Sequence, residues 1–329
     1  MQSTRKMGFD LGAAEFATVP SAVGYGRVRQ IAFVAGLILS FCRLITAAEP
    51  RNPPPVPDLA NVSYGSHPRN VLDLWKAKSS QPTPFVVYIH GGGFRNGSKD
   101  TVYRGMLTGL LARGISVIAV NYRFSPEVHF PAHYHDCARA IQFARLHAKE
   151  WNLDPRRVGA TGGSAGGGTS LWLGFHDDLA DPSNPDPVLR QSSRLTCIAG
   201  RGAQSSYDPR DSVKWIGVAF AVAFERRMAF FGLAPAESDT PKAHQLYLAA
   251  SPINILTSDD PPVIAFYNEA RGPLPANPKA NDGAHHINFG YRLKERMDRL
   301  GLECTIRHED EGADPDRESV EFFLRHLKK

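Results

Sequence analysis

Ser164 stands at the centre of Gly162-Gly163-Ser164-Ala165-Gly166-Gly167, directly after the short apolar run Val158–Thr161. A serine on a sharp strand-to-helix turn brings its flanking backbone into close contact, so its neighbours must be small. The turn lifts the hydroxyl clear of the sheet and aims the amide of Ala165 at whatever that oxygen attacks. This is the arrangement of a serine nucleophile. A second glycine cluster, His90-Gly91-Gly92-Gly93-Phe94, follows the strand-like run Phe85–Ile89. Glycines there let the amides of Gly91 and Gly92 approach a developing oxyanion, which with Ala165 completes an oxyanion hole. A phosphate loop would read G-x-x-x-x-G-K-[ST], or G-x-G-x-x-G before a helix, and neither pattern fits.

A serine hydroxyl is a poor nucleophile at neutral pH. An imidazole must take its proton, and a carboxylate must orient that imidazole. Losing the base of such a triad costs on the order of 10⁶ in turnover, or roughly 8 kcal/mol of barrier. Three histidines are candidates. His308 closes its strand on the same face as Cys304 and Ile306 by alternation, and His285 and His286 lie in the loop after Tyr267. Glu269, Asp282, Asp310 and Asp314 are within range to orient either imidazole. His90 is assigned to the glycine loop, whose orientation its ring nitrogens set, and not to proton transfer.

The elements that position these residues read as an α/β chain. Asn61–Tyr64 and Asn70–Lys76 are edge strands. Phe85–Ile89, Ile115–Tyr122, Val158–Thr161, Leu195–Ala199, Pro262–Tyr267 and Glu303–His308 are inner strands. Helical stretches lie between them, at Ala132–Trp151, Ala165–Gly174, Phe289–Leu300 and Asp316–Lys328. In the last, Val320, Phe323, Leu324 and Leu327 form one apolar stripe. This alternation predicts a doubly wound, mostly parallel eight-stranded sheet with right-handed crossovers. Both glycine motifs then fall at the carboxyl edge, where such sheets bind ligands.

Together, the two motifs and their order resemble the α/β-hydrolases, in the carboxylesterase branch of hormone-sensitive-lipase-like and feruloyl-esterase-like (BD-FAE) enzymes. Asn121-Tyr122-Arg123, Phe130-Pro131-Ala132 and Asp154-Pro155-Arg156-Arg157-Val158 extend the likeness, which runs from about Val62 to Leu327. The resemblance implies ester hydrolysis. It also implies an acid just after Pro262–Tyr267 and a histidine just after Glu303–His308. Here Arg271 occupies the acid position, and the histidine region reads Glu311-Gly312-Ala313-Asp314. The base is therefore expected to be displaced, from among His308, His286 and His285 with Glu269. The alternative is an inactive hydrolase-fold protein binding an acyl or carbohydrate ligand, with Arg271 favouring a carboxylate or sulfate. In such relatives an insertion over residues 205–250, here carrying Trp215, Phe220, Phe224, Met228, Phe230 and Phe231, lids the cleft; plain packing on the core is the other reading.

The chain's 329 residues, 42% hydrophobic, suffice for one large domain, taken as residues 59–329. Residues 1–48 hold five Lys/Arg and two acids, so they carry +3 of the formal +5. No basic run with interleaved aromatics marks a nucleic-acid footprint. Arg27 and Arg29, the apolar run Ile31–Cys42 and small residues to Ala48 read as a signal-like leader, followed by a Pro-rich spacer over 49–58. The run is too short for a membrane span, so a secreted or periplasmic protein is expected, with an N-terminal anchor as the alternative. Cys137, Cys197 and Cys304 are scattered and odd in number once the leader is removed, against a disulfide framework. Neither cofactor nor metal is expected; the partner is a small-molecule or polysaccharide ester.

Overall fold

The computed structural model describes residues 55–217, 228–269, 271–274 and 282–328. The signal-like leader and residues 49–54 of the spacer lie outside the described residues. Eight strands form one sheet in the order β1-β2-β4-β3-β5-β6-β7-β8. They are β1 (Leu59–Ser63), β2 (Val71–Trp75), β3 (Thr83–Ile89), β4 (Ser116–Val120), β5 (Leu153–Gly163), β6 (Cys197–Arg201), β7 (Val263–Tyr267) and β8 (Cys304–His308). β1 and β2 pair antiparallel, as do β2 and β4, and every later pairing is parallel. β5 begins earlier than the apolar run alone indicates: Leu153 pairs with Thr83, and an irregularity takes up Pro155 before the regular ladder.

Strand alternation divides the interior into two cores. Phe85, Val87 and Ile89 of β3 face one, with Ile118, Val120, Ala160 and Ile198. Val86 and Tyr88 face the other, with Val117, Ala119 and Ile264. All seven residues of β3 are buried, as expected of a central parallel strand covered on both faces. At about 1.5–3 kcal/mol for each large apolar side chain removed from water, these strands are the rigid floor of the molecule.

The first core is covered by α2 (Ala132–Leu146), α3 (Ala165–Phe175), α5 (Pro241–Ala250) and α6 (Asn288–Arg299). The second is covered by α1 (Arg104–Ala112) and α7 (Pro315–Leu327). α7 starts where Asp314 accepts a hydrogen bond from the Arg317 amide and Pro315 fills the first turn. Its expected stripe packs as read, with Val320, Phe323 and Leu327 buried and Leu324 partly so. The long helix expected over Ala132–Trp151 breaks at His147, and a separate turn covers Ala148–Trp151.

Within residues 205–250, α4 (Pro209–Ile216) is capped by Asp208 and α5 by Thr240. Phe220 and Phe224 lie outside the described residues. Met228, Phe230 and Phe231 are buried in the first core, and Phe230 stacks on Phe94 with ring centroids 4.2 Å apart. Phe230 therefore braces Phe94, the residue that follows the HGGG turn. Cys137, Cys197 and Cys304 are free thiols, all buried.

Candidate active site

Ser164 connects the end of β5 to the start of α3 with φ 51° and ψ −122°. Positive φ at a non-glycine residue costs on the order of 1–3 kcal/mol and persists only where the surroundings enforce it. Here the Ser164 amide donates to the Arg201 carbonyl at 2.8 Å, pinning the elbow to β6. Gly166 allows the close pass of β3 behind the turn, since a side-chain carbon there would come 2.0 Å from the Ile89 carbonyl oxygen. The first-turn amides of α3, Ala165 among them, have no intrahelical acceptor, as in any α-helix, and the Ser164 side chain does not cap them.

The glycine loop is held from behind. His90 is fully buried, and desolvation pushes its pKa down from 6.5 to about 4, so the ring is neutral. Its Nδ1 donates to the Gly91 carbonyl at 2.7 Å, leaving Nε2 to accept from Arg69 at 3.4 Å. The ring stacks on Tyr122 at 4.3 Å, and the Tyr122 hydroxyl donates to the His90 carbonyl at 2.9 Å. Arg69 also bonds the carbonyls of Tyr122 and Gly97. Gly91 and Ser164 share the lining of a cleft of about 540 Å³ at the carboxyl edge of the sheet.

Of the three candidate histidines, His285 is the one that meets the serine. Its Nε2 lies 2.8 Å from the Ser164 hydroxyl oxygen. Glu269 stands behind it: one carboxylate oxygen accepts from the His285 amide at 2.9 Å and lies 3.4 Å from Nδ1. The other Glu269 oxygen is buried without a partner. The approach of the ring requires Gly202, at φ 54° just after β6, where a side-chain carbon would lie 2.9 Å from the His285 ring.

The other candidates are engaged elsewhere. His308 donates from Nε2 to the Glu269 carbonyl at 2.8 Å, and its Nδ1 accepts from the Asp310 amide at 3.1 Å. His286 lies 3.1 Å from the Gly272 carbonyl through Nε2, and its Nδ1 accepts from the Asn288 amide. Asp314 caps α7. Arg271 does not offer an unanswered cation to a ligand, because it forms an ion pair with Glu311.

Arg201 and Tyr103 also line the cleft and were not singled out from sequence. Arg201 is the last residue of β6; its guanidinium lies over the Tyr103 ring at 3.6 Å and pairs with Asp316 at 2.5 Å. Its place at a strand's carboxyl end was the available signal. Among the described residues no cluster of His, Cys, Asp or Glu is arranged to hold a metal ion, and no helix is long and apolar enough to cross a membrane.

An eight-stranded sheet of this order, with a serine elbow and a facing glycine loop, is an α/β-hydrolase fold. The BD-FAE family model matches residues 72–272, more than half of the chain, and the protein belongs to that family. Esterase LipC of Mycobacterium tuberculosis is 26% identical over 216 residues, 65% of this chain and 51% of its own. Neutral cholesterol ester hydrolase 1 of Rattus norvegicus is 37% identical over 93 residues, covering 27% of this chain and 23% of its own. The chain spans about half the length of LipC. Among solved structures, an acetyl ester-xyloside bifunctional hydrolase from Caldicellulosiruptor lactoaceticus superposes with a TM-score of 0.57 at 25% identity, over 72% of this chain and 77% of that one. A truncated carbohydrate esterase from gut microbiota shares the fold, with a TM-score of 0.65 at 21% identity over 82% and 96%.

Proposed function

We propose that the protein is a serine carboxylic-ester hydrolase with Ser164 as nucleophile, His285 as base and Glu269 as the orienting acid. The observation that carries this reading is the 2.8 Å contact between His285 Nε2 and the Ser164 hydroxyl at a strained elbow. As Ser164 Oγ attacks the ester carbonyl, its proton passes to His285 Nε2. Glu269 faces the imidazolium that results. The Nδ1 distance of 3.4 Å is long for a hydrogen bond, as such contacts often are before substrate binds. The amides of Ala165, Gly91 and Gly92 receive the oxyanion of the tetrahedral intermediate. Collapse expels the alcohol, which takes the proton from His285, and leaves an acyl-serine. Water, deprotonated by the same ring, then releases the acid.

A cleft of about 540 Å³ suits a small ester or one residue of an acylated carbohydrate. LipC is named an esterase, and the neighbour at 25% identity an acetyl ester-xyloside hydrolase, which supports an ester substrate. The signal-like leader supports action outside the cytoplasm, secreted or periplasmic. Purified protein should hydrolyse p-nitrophenyl acetate, and Ser164→Ala should lower kcat by on the order of 10⁶. Equal, background rates for both proteins would remove the proposal.

A further inference from the structure

Glu269 is the second residue past β7, on a loop that must hold its carboxylate against a ring sixteen positions later in the chain. The loop is tied down on both sides by a buried histidine. From β8, His308 reaches the carbonyl of Glu269 itself at 2.8 Å. From the start of α6, His286 reaches the carbonyl of Gly272 at 3.1 Å. Each side chain is 2% exposed. In each, Nδ1 accepts a backbone amide two residues on, which leaves the proton on Nε2 to bond the loop. Both nitrogens of both rings are therefore committed, and the rings cannot turn without giving up a buried bond. The nearby Arg271–Glu311 pair also joins the two loops, but its side chains are more than a third exposed, so the histidines carry most of the restraint.

We propose that His308 and His286 are positioning residues that splint the acid-bearing loop, and that His308 sets where Glu269 meets His285. This rests on the esterase reading above. His308 makes no hydrogen bond to the serine or the base; its Nε2 acts on Glu269, while its Nδ1 caps the turn at Glu309–Glu311. Removing its donor lets the Glu269 backbone shift and slackens a contact that is already 3.4 Å long.

The test is a double-mutant cycle on p-nitrophenyl acetate hydrolysis. His308→Leu should lower kcat about 30-fold with KM within about twofold, since an error below 1 Å at the acid acts on the chemical step. His308→Gln, whose amide nitrogen takes the place of Nε2, should recover activity to within about threefold of wild type. In a Glu269→Gln background, His308→Leu should cost less than about twofold, because residues acting as a unit are not additive. If the leucine variant does not fold, His308→Asn, too short to reach the carbonyl, gives the same comparison. A loss of equal size in both backgrounds would mean a general structural role and overturn the proposal. So would an undiminished kcat in His308→Leu while wild type is active. An inert wild-type protein would overturn the esterase reading and this one together.

Discussion

Adding one methyl group at Gly202 should separate the proton relay from the rest of the site. A Cβ there would stand 2.9 Å from Cγ and 3.0 Å from Cβ and Cδ2 of His285, where ordinary contact begins near 3.4 Å. The ring must therefore give way by about 0.5 Å, because carbon–carbon repulsion rises steeply inside that distance. It cannot move toward Ser164, where the contact is already 2.8 Å, so the Nε2–Oγ bond lengthens or tilts. If 1 Å of misplacement costs about 100-fold, Gly202→Ala should lower kcat by roughly 10- to 100-fold. The substitution also places a non-glycine residue at φ 54°, which costs about 1 kcal/mol of stability, or about 3 °C in Tm. Gly301→Ala isolates that second effect: Gly301 sits at φ 73° with nothing within 4 Å of the added carbon. Steady-state kinetics on p-nitrophenyl acetate, beside thermal melts of both variants, make the comparison. Similar melting shifts with a kcat deficit confined to Gly202→Ala are expected. If the two variants turn over at rates within twofold of each other, the ring at Gly202 is not the catalytic base.

Glu269→Gln keeps the bond from the His285 amide but removes the charge, and should lower kcat by on the order of 10⁴ with little change in KM, measured on the same ester. Acid should destabilise the fold through His90 and His133. Burial pushes both down from 6.5 to about 4, so between those values the unfolded chain binds protons that the folded one refuses. Their contribution is present above pH 6.5 and lost as pH falls toward 4, by about 3 kcal/mol for each ring. Urea titrations at pH 7 and pH 4.5 should show the loss, and His133→Phe should remove about half of it. Lys99 is buried against Asp73 at 2.7 Å. Lys99→Met strands that carboxylate and should cost about 3 kcal/mol in the same titration. Arg271→Gln breaks a half-exposed pair, and Tm should move by less than about 2 °C.

The elbow and glycine-loop half of the candidate site was legible because it is local. The elbow glycines, Ser164 and the HGGG turn are contiguous, and each follows a strand whose buried register leaves little freedom. The relay half depends on where a loop crosses the sheet edge, and chain spacing does not encode that. His285 and His286 are neighbours with opposite fates; only the backbone direction before α6 turns one toward Ser164 and the other toward Gly272. His308 lies on the face that alternation assigns, yet its ring is drawn to the Glu269 carbonyl. The positions expected to hold an acid and a histidine by resemblance are filled instead by the Arg271–Glu311 ion pair, a pairing visible only once β7 and β8 are side by side. The apolar runs located the strands but not their order: Val71–Trp75, read as an edge strand, lies between β1 and β4, and β8, read as an inner strand, is an edge of the sheet. Nor did they locate the early start of β5, because Pro155 argues against a strand until the irregular pairing at Leu153 accommodates it.

Labelling by a fluorophosphonate, followed by intact-protein mass spectrometry, tests the central claim most directly, since it reads activation of Ser164 without reference to any natural substrate. Wild type should take up one equivalent at Ser164, Ser164→Ala none, and His285→Ala should react slower by on the order of 10³ or more. Labelling of His285→Ala at the wild-type rate, or a wild-type serine that never reacts, would contradict the account.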